Sequence, residues 1–161
     1  MRILGIDPGI GRTGWGIIEV QSSKIKVHNF GCIETPADES VSKRLESIYD
    51  KVLKLIKIHK PEEMAVEELF FNTNSKTAFI VGQARGVIVL AGEKAKIPSF
   101  SYTPLQVKIA VTGYGRAEKE QVGIMIKNLL ALKVIPKPDD VTDALAVAIT
   151  HSSSRSSQFK K

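Results

Sequence analysis

The chain has 161 residues, a length that suits one domain with a single buried core. Its 23 lysines and arginines outnumber its 17 aspartates and glutamates, and the resulting net charge of +6 favours an anionic partner such as nucleic acid. A single cysteine, Cys32, excludes an internal disulfide and a cysteine-based zinc site. With no signal peptide and no membrane-spanning run in the sequence, we expect a cytoplasmic protein.

The predicted elements, taken in chain order, are three strands, a helix, a strand, a helix, a strand and then three helices. The strands lie at about residues 3–7, 13–20, 24–34, 64–70 and 97–102. The helices lie at about residues 40–60, 78–91, 104–111, 118–130 and 139–150. This order predicts one α/β domain over residues 1–151, with a mixed five-stranded sheet flanked by helices. Residues 152–161 lack apolar periodicity and are expected to form a disordered basic tail.

Asp7 stands at the tip of the first strand. Ile3, Leu4 and Ile6 favour a strand, and Pro8 cannot donate to a central ladder, so pairing should end near Asp7. An aspartate before a turn is often only a turn residue. A functional interpretation therefore depends on where the other acids lie.

Two other groups of acids occupy unusual positions. Glu67 and Glu68 are adjacent in an apolar strand, so one of them points toward each face of the sheet. Asp139, Asp140 and Asp143 begin the last predicted helix. Helix capping explains acids in a first turn, but it does not explain Asp143 beside an apolar run.

If these acids meet Asp7, they form a metal-binding cluster. Like charges about 4 Å apart repel by roughly 4 kcal/mol at an effective dielectric near 20, so such a cluster needs a cation to stay ionised. Carboxylate oxygens prefer Mg²⁺ or Mn²⁺ to zinc. Two such ions can activate a water and stabilise the leaving oxygen of a phosphodiester, and the basic surface suits a phosphate substrate.

Several motifs in order resemble the bacterial Holliday-junction resolvase family RuvC. They are Gly5-Ile6-Asp7-Pro8-Gly9 with Thr13-Gly14, Ala65-Val66-Glu67, Gly82-Gln83-Ala84-Arg85-Gly86 and Asp140-Val141-Thr142-Asp143-Ala144-Leu145. The resemblance covers about residues 1–151. It implies a ribonuclease H-like fold and a homodimer that nicks two opposing strands of a four-way DNA junction, in recombination and repair.

The same resemblance assigns residues to roles. It implies that Asp7, Glu67, Asp140 and Asp143 are catalytic and bind two Mg²⁺ ions per subunit, with Mn²⁺ as a substitute. It selects Glu67 over Glu68, and Asp140 over Asp139, where helical geometry leaves both open.

The resemblance also implies DNA contacts and partners. Phe70 matches an aromatic that stacks on junction bases, although a core phenylalanine fits the sequence equally well. Lys108 and Lys119 match basic residues that contact the DNA, and Arg116 is a further phosphate candidate. Residues 82–90 resemble the dimer interface, and the family works with the branch-migration assembly RuvA-RuvB.

Three alternatives compete with a junction nuclease. The turn at residues 7–13 also resembles the phosphate loop of actin-like sugar kinases, which need a second domain. A related ribonuclease H-like nuclease acting on RNA shares the first motif. A basic junction-binding protein without catalysis would use its acids only as caps and turn residues. His28, His59 and His151 are dispersed and show no metal-ligand spacing, so we expect surface or core roles for them.

Overall fold

The computed structural model describes residues 1–22, 24–68 and 75–158. Within these residues the chain forms five strands and five helices. The strands are β1 (Arg2–Asp7), β2 (Arg12–Gln21), β3 (Lys24–Glu34), β4 (Glu63–Glu67) and β5 (Ser99–Tyr102). The helices are α1 (Val41–His59), α2 (Ser75–Lys94), α3 (Pro104–Thr112), α4 (Lys119–Leu129) and α5 (Asp139–Gln158).

The strands form one mixed sheet in the order β3-β2-β1-β4-β5. β2 is antiparallel to both β1 and β3, whereas β1, β4 and β5 run parallel. β1 therefore lies at the centre, which explains why Ile3, Leu4 and Ile6 are fully buried. The predicted mixed five-stranded sheet is confirmed, and its order is the ribonuclease H-like one that the resemblance implies.

Helices cover both faces of the sheet, and β1 divides its side chains between them. Ile3 belongs to an apolar cluster with residues of α3, α4 and α5, including Leu145. Leu4 belongs to the opposite cluster with residues of α1 and α2, including Ile48. Because strand side chains alternate between faces, Asp7 shares the α5 face with Ile3.

Helix α5 lies unusually close to the sheet because glycines replace side chains beneath it. A Cβ atom on Gly5 would come within 2.1 Å of the Ala144 carbonyl oxygen. A Cβ atom on Gly14 would come within 1.8 Å of the Asp140 carbonyl oxygen. Only glycine permits this approach at either position. The two glycines therefore determine how closely the first turns of α5 approach the sheet near the tip of β1.

The boundaries differ from the predicted ones mainly at the end of α5. The helix continues to Gln158, so the expectation of disorder is wrong for residues 152–158, and residues 159–161 lie outside the described residues. His151 is buried and hydrogen-bonds Tyr102 and Glu63, and Arg155 forms an ion pair with the same glutamate. These contacts hold the last turns of α5 against the beginning of β4. They also confirm a core role for His151, whose pKa is lowered by burial.

Smaller differences concern β4 and β5. β4 ends at Glu67 and β5 begins at Ser99, so both strands are shorter than predicted. Thr103 caps α3, a proline stands in its first turn, and Gln106 completes a capping box. Among the helices of the described residues, none is long and apolar enough to cross a membrane.

Candidate active site at the ends of β1 and β4

Two acids at the ends of adjacent parallel strands form the centre of the candidate site. Asp7 ends β1 and Glu67 ends β4, and the register aligns Ile6 with Val66 immediately before them. Neighbouring strands lie about 4.8 Å apart, so the two side chains are neighbours on one face of the sheet. The charge of Glu67 raises the pKa of Asp7.

The alternation of side chains explains why Glu67, and not Glu68, joins Asp7. Ala65 belongs to the apolar cluster that contains α5, and Val66 belongs to the opposite cluster. Glu67 lies two residues after Ala65, so its side chain points to the same face of the sheet and faces α5 together with Asp7. Glu68 is exposed, and its backbone N–H donates to the Tyr102 carbonyl.

Helix α5 brings two more acids to this pair. Asp140 and Asp143 lie one turn apart on its first turns, with side chains 25% and 29% exposed. Both contribute electrostatic repulsion that raises the pKa of Asp7. Asp7, Glu67, Asp140 and Asp143 therefore lie at the same end of the sheet, and their assignment as catalytic and metal-binding residues stays a prediction.

Each aspartate of α5 is paired with one cation. Lys119, the first residue of α4, places its Nζ atom 3.6 Å from Asp143 Oδ2. Arg12, the first residue of β2, places its Nε atom 3.5 Å from Asp140 Oδ2. The neighbouring acid Asp139 points elsewhere: it accepts a hydrogen bond from Lys137 Nζ at 2.6 Å and is exposed.

The electrostatics of the site follow from burial and from the crowding of like charges. Burial, and then repulsion by Glu67 and Asp143, raises the pKa of Asp7 to about 9. Burial and the charge of Asp143 raise the pKa of Glu67 to about 7. The pKa of Asp143 is raised by burial, although Lys119 opposes this shift, and the carboxylate of Asp143 in turn raises the pKa of Lys119.

The donor set fits a hard divalent cation. All four acids supply carboxylate oxygens, and burial is the largest cause of the raised pKa values of Asp7 and Glu67. In the side-chain arrangement observed, no three acidic, histidine or cysteine side chains among the described residues are grouped closely enough to hold an ion. Two of the four acids are paired with Arg12 and Lys119 instead, so an ion would have to replace these cations.

The other predicted DNA-binding residues lie around the site or outside the described part of the chain. Lys119 lies at the site itself. Lys108 lies on α3 and Arg116 in the loop before α4, and neither forms an ion pair with the four acids among the residues described. Phe70 lies outside the described residues. Sequence reasoning missed the pairing of Arg12 with Asp140, because nothing local in the sequence connects them.

Comparison with known proteins identifies the family. The family model described as crossover junction endodeoxyribonuclease RuvC matches residues 3–151. A protein of that name from Brevibacillus brevis is 54% identical over 155 residues, which cover 96% of this chain and 93% of that one. The chain belongs to the RuvC family. The predicted family is thereby confirmed.

Solved structures of RuvC proteins extend this similarity to the fold. The structure described as Thermus thermophilus RuvC in complex with Holliday junction substrate superimposes with a TM-score of 0.92 at 37% identity, covering 98% of this chain and 96% of that one. The yeast mitochondrial Holliday junction resolvase superimposes with a TM-score of 0.67 at 16% identity, covering 98% and 85% of the two chains, and this match supports the fold alone.

Proposed function

We propose that this RuvC-family chain is an endonuclease that resolves four-way DNA junctions by paired, symmetric nicks, in the recombination and repair of DNA in the cytoplasm. The observation that carries this proposal is the convergence of four acids, two of them with strongly raised pKa values, at one end of a basic protein. Functional sites are where burial and like charges shift pKa values in this way. The relative of known structure bound to a Holliday junction supplies the substrate class.

Asp7, Glu67, Asp140 and Asp143 are the residues we propose to hold the catalytic metal, Mg²⁺ with Mn²⁺ as a substitute, at two ions per subunit. When bound, such ions would activate the attacking water and stabilise the leaving oxygen of the phosphodiester. The metal charge would also offset the repulsion that keeps the proton on Asp7, so that all four carboxylates could be ionised together.

We assign the scissile phosphate to Lys119. Its ammonium group lies beside Asp143 and its side chain is 76% exposed, so it can turn from Asp143 toward a DNA strand entering the site. Lys108 and Arg116, on α3 and in the loop that follows, would contact phosphates farther along the same strand. Such contacts position the backbone without reading its sequence, and they make binding fall with salt.

Paired cuts require two copies of the site, and α2 is the element that we propose joins them. Phe79 and Leu90 are 68% and 47% exposed on this helix. A Cβ atom on Gly82 or on Gly86 would have nothing within 4 Å, so this face of the helix is open. Phe79, Gly82, Gly86 and Leu90 recur at three-to-four spacing and share one face. A two-fold dimer through that face would relate the two cuts by symmetry.

Cooperation with the branch-migration assembly RuvA-RuvB is a further part of the proposal and rests on family membership.

The test is cleavage of an end-labelled four-way junction, a linear duplex of the same sequence and an RNA duplex, each with Mg²⁺ or with EDTA. We expect symmetric nicks in the junction with Mg²⁺ only, and intact linear and RNA duplexes. Junction binding without cleavage in Mg²⁺ or Mn²⁺ would favour a non-catalytic junction-binding protein. Cleavage of the RNA duplex alone would favour a nuclease that acts on RNA.

A further inference from the structure

Two cations flank the four acids from opposite elements. Lys119 approaches Asp143 from α4, and Arg12 approaches Asp140 from the beginning of β2. A lysine at a phosphodiester site is readily explained by the scissile phosphate. Arg12 lies at the other α5 aspartate and has no role in the proposed reaction so far.

Three hydrogen bonds fix the backbone of the turn that carries Arg12. Thr13 Oγ1 donates a hydrogen bond to the Gly9 carbonyl at 2.7 Å, and Thr35 N–H donates to the Gly11 carbonyl at 3.1 Å. Thr35 Oγ1 also donates to the Ile10 carbonyl. The position of the Arg12 backbone is therefore fixed relative to Asp7, five residues earlier. Its side chain, in contrast, is 57% exposed and free to change direction.

A second guanidinium lies on the same turn. Arg44 of α1 donates from Nε to Thr35 Oγ1 at 2.9 Å. Its Nη2 atom lies 3.4 Å from where a Cβ atom of Gly11 would be. Both guanidinium groups therefore lie at the turn between β1 and β2, that of Arg12 near Asp140 of α5 and that of Arg44 at Thr35. The nearby acid is Glu34, which is opposite Arg12 in the β2–β3 register.

We propose that Arg12 binds a DNA phosphate next to the scissile one, and that Asp140 holds this arginine until a metal ion takes the carboxylate. This inference rests on the proposed junction nuclease. A planar guanidinium can donate two parallel hydrogen bonds to the oxygens of one phosphate. Its observed contact with Asp140 is a single pair of atoms 3.5 Å apart. Arg12 would lose its negative partner if Asp140 held a metal ion, and its exposed side chain would then be free to contact the backbone of the bound strand.

Arg12 therefore affects metal binding and DNA binding in opposite directions. Without DNA it competes with the metal for Asp140, so Arg12→Gln should bind Mn²⁺ about threefold more tightly, as expected for loss of one partly exposed ion pair. With DNA it contributes a phosphate contact. The slope of log affinity against log salt should therefore decrease by about 1 for each protomer that contacts the junction.

Both quantities can be measured on the full chain. Mn²⁺ affinity is obtained by electron paramagnetic resonance without DNA, and junction affinity is obtained at several salt concentrations with Ca²⁺, with the junction checked for cleavage on a denaturing gel. Arg12→Lys keeps the charge and should retain the native salt slope. Lys26→Gln is the control for charge, because Lys26 is exposed on β3 and pairs with Glu19 at the end of the sheet opposite Asp7.

The result that supports the inference is tighter Mn²⁺ binding together with a reduced salt slope in Arg12→Gln, and native values of both in Lys26→Gln. A native salt slope or unchanged Mn²⁺ affinity in Arg12→Gln would overturn it. Weaker Mn²⁺ binding would also overturn it, since Arg12 would then only position Asp140. If the native chain itself fails to bind and cut the junction, the proposed function fails instead.

Discussion

Asp7 and Glu67 stand at the tips of two neighbouring parallel strands, and both side chains face α5. Burial, and then the charge of Glu67, raises the pKa of Asp7 to about 9. The metal-free protein therefore keeps a proton on Asp7 near neutral pH. Loss of this proton makes the stability of the protein depend on pH, and a metal ion bound to Asp7 would compete with the proton.

The first prediction concerns the stability of the metal-free protein. Asp7 has an ordinary pKa of 3.8 when unfolded and one of about 9 when folded, so unfolding releases its proton between these values. The free energy of unfolding should therefore fall as pH rises from about 4 to about 9. Asp7→Asn cannot ionise and should be more stable than the native chain at pH 8, by about 2 kcal/mol.

Urea unfolding in EDTA at pH 5, 7 and 9 measures this effect. Asp38→Asn, at an exposed position, serves as the control and should follow the native pH dependence. If the free energy of unfolding changed with pH in the same way for the native chain and Asp7→Asn, Asp7 would be ionised in the folded protein and the prediction would be wrong.

The second prediction concerns Lys119. Lys119→Gln removes the ammonium next to Asp143, so the rate of junction cleavage should fall at least about tenfold, and Lys119→Arg should retain more activity because it keeps the charge. Single-turnover cleavage measures both rates. Lys57→Gln, on the exposed face of α1, should cleave as the native chain does. Equal rates for Lys119→Gln and Lys57→Gln would exclude a role for Lys119 in the reaction.

The third prediction concerns the contact between β2 and α5. Gly14→Ala places a methyl group 1.8 Å from the Asp140 carbonyl oxygen, so the first turn of α5 must move. We expect a loss of about 1–3 kcal/mol in stability and a weaker Mn²⁺ affinity, because Asp140 moves with the helix. Gly11→Ala is the control, since its methyl group meets only the tip of the Arg44 side chain at 3.4 Å. Native Mn²⁺ affinity in Gly14→Ala would contradict this contact.

The fourth prediction concerns the dimer. Phe79→Glu puts a charge on the open face of α2, and we expect it to convert a dimer into monomers in sedimentation experiments. Loss of the dimer should also uncouple the two nicks, so that singly nicked junctions accumulate. Ile58→Glu changes a comparably exposed residue, 58% accessible on α1, and should remain dimeric. A native chain that sediments as a monomer when bound to the junction would contradict the dimer.

Much of the fold could be predicted from local patterns. β3 has the predicted bounds, and α1 and α3, capped by Ser40 and Thr103, begin within a residue of the predicted positions. These features depend on a few neighbouring residues. Glu67 and Glu68 face opposite sides of the sheet. Local sequence does not show which side α5 covers, so it does not show which glutamate faces Asp7.

Long-range contacts account for what the sequence did not reveal. A serine-rich segment without apolar periodicity was expected to be disordered, yet residues 152–158 are helical. The ion pair between Arg155 and Glu63 supplies the stabilisation that the segment lacks on its own. Arg12 was missed for a similar reason, because its partner Asp140 lies on the last helix and only the packing of α5 on the sheet brings them together.

Cleavage of a labelled four-way junction by the native chain and by Asp7→Asn, with Mg²⁺ and with EDTA, tests the junction nuclease most directly. We predict symmetric nicks that require Mg²⁺, are absent in Asp7→Asn and persist in Asp38→Asn, while all three proteins bind the junction. Tight junction binding without cleavage by the native chain in either Mg²⁺ or Mn²⁺ would contradict it.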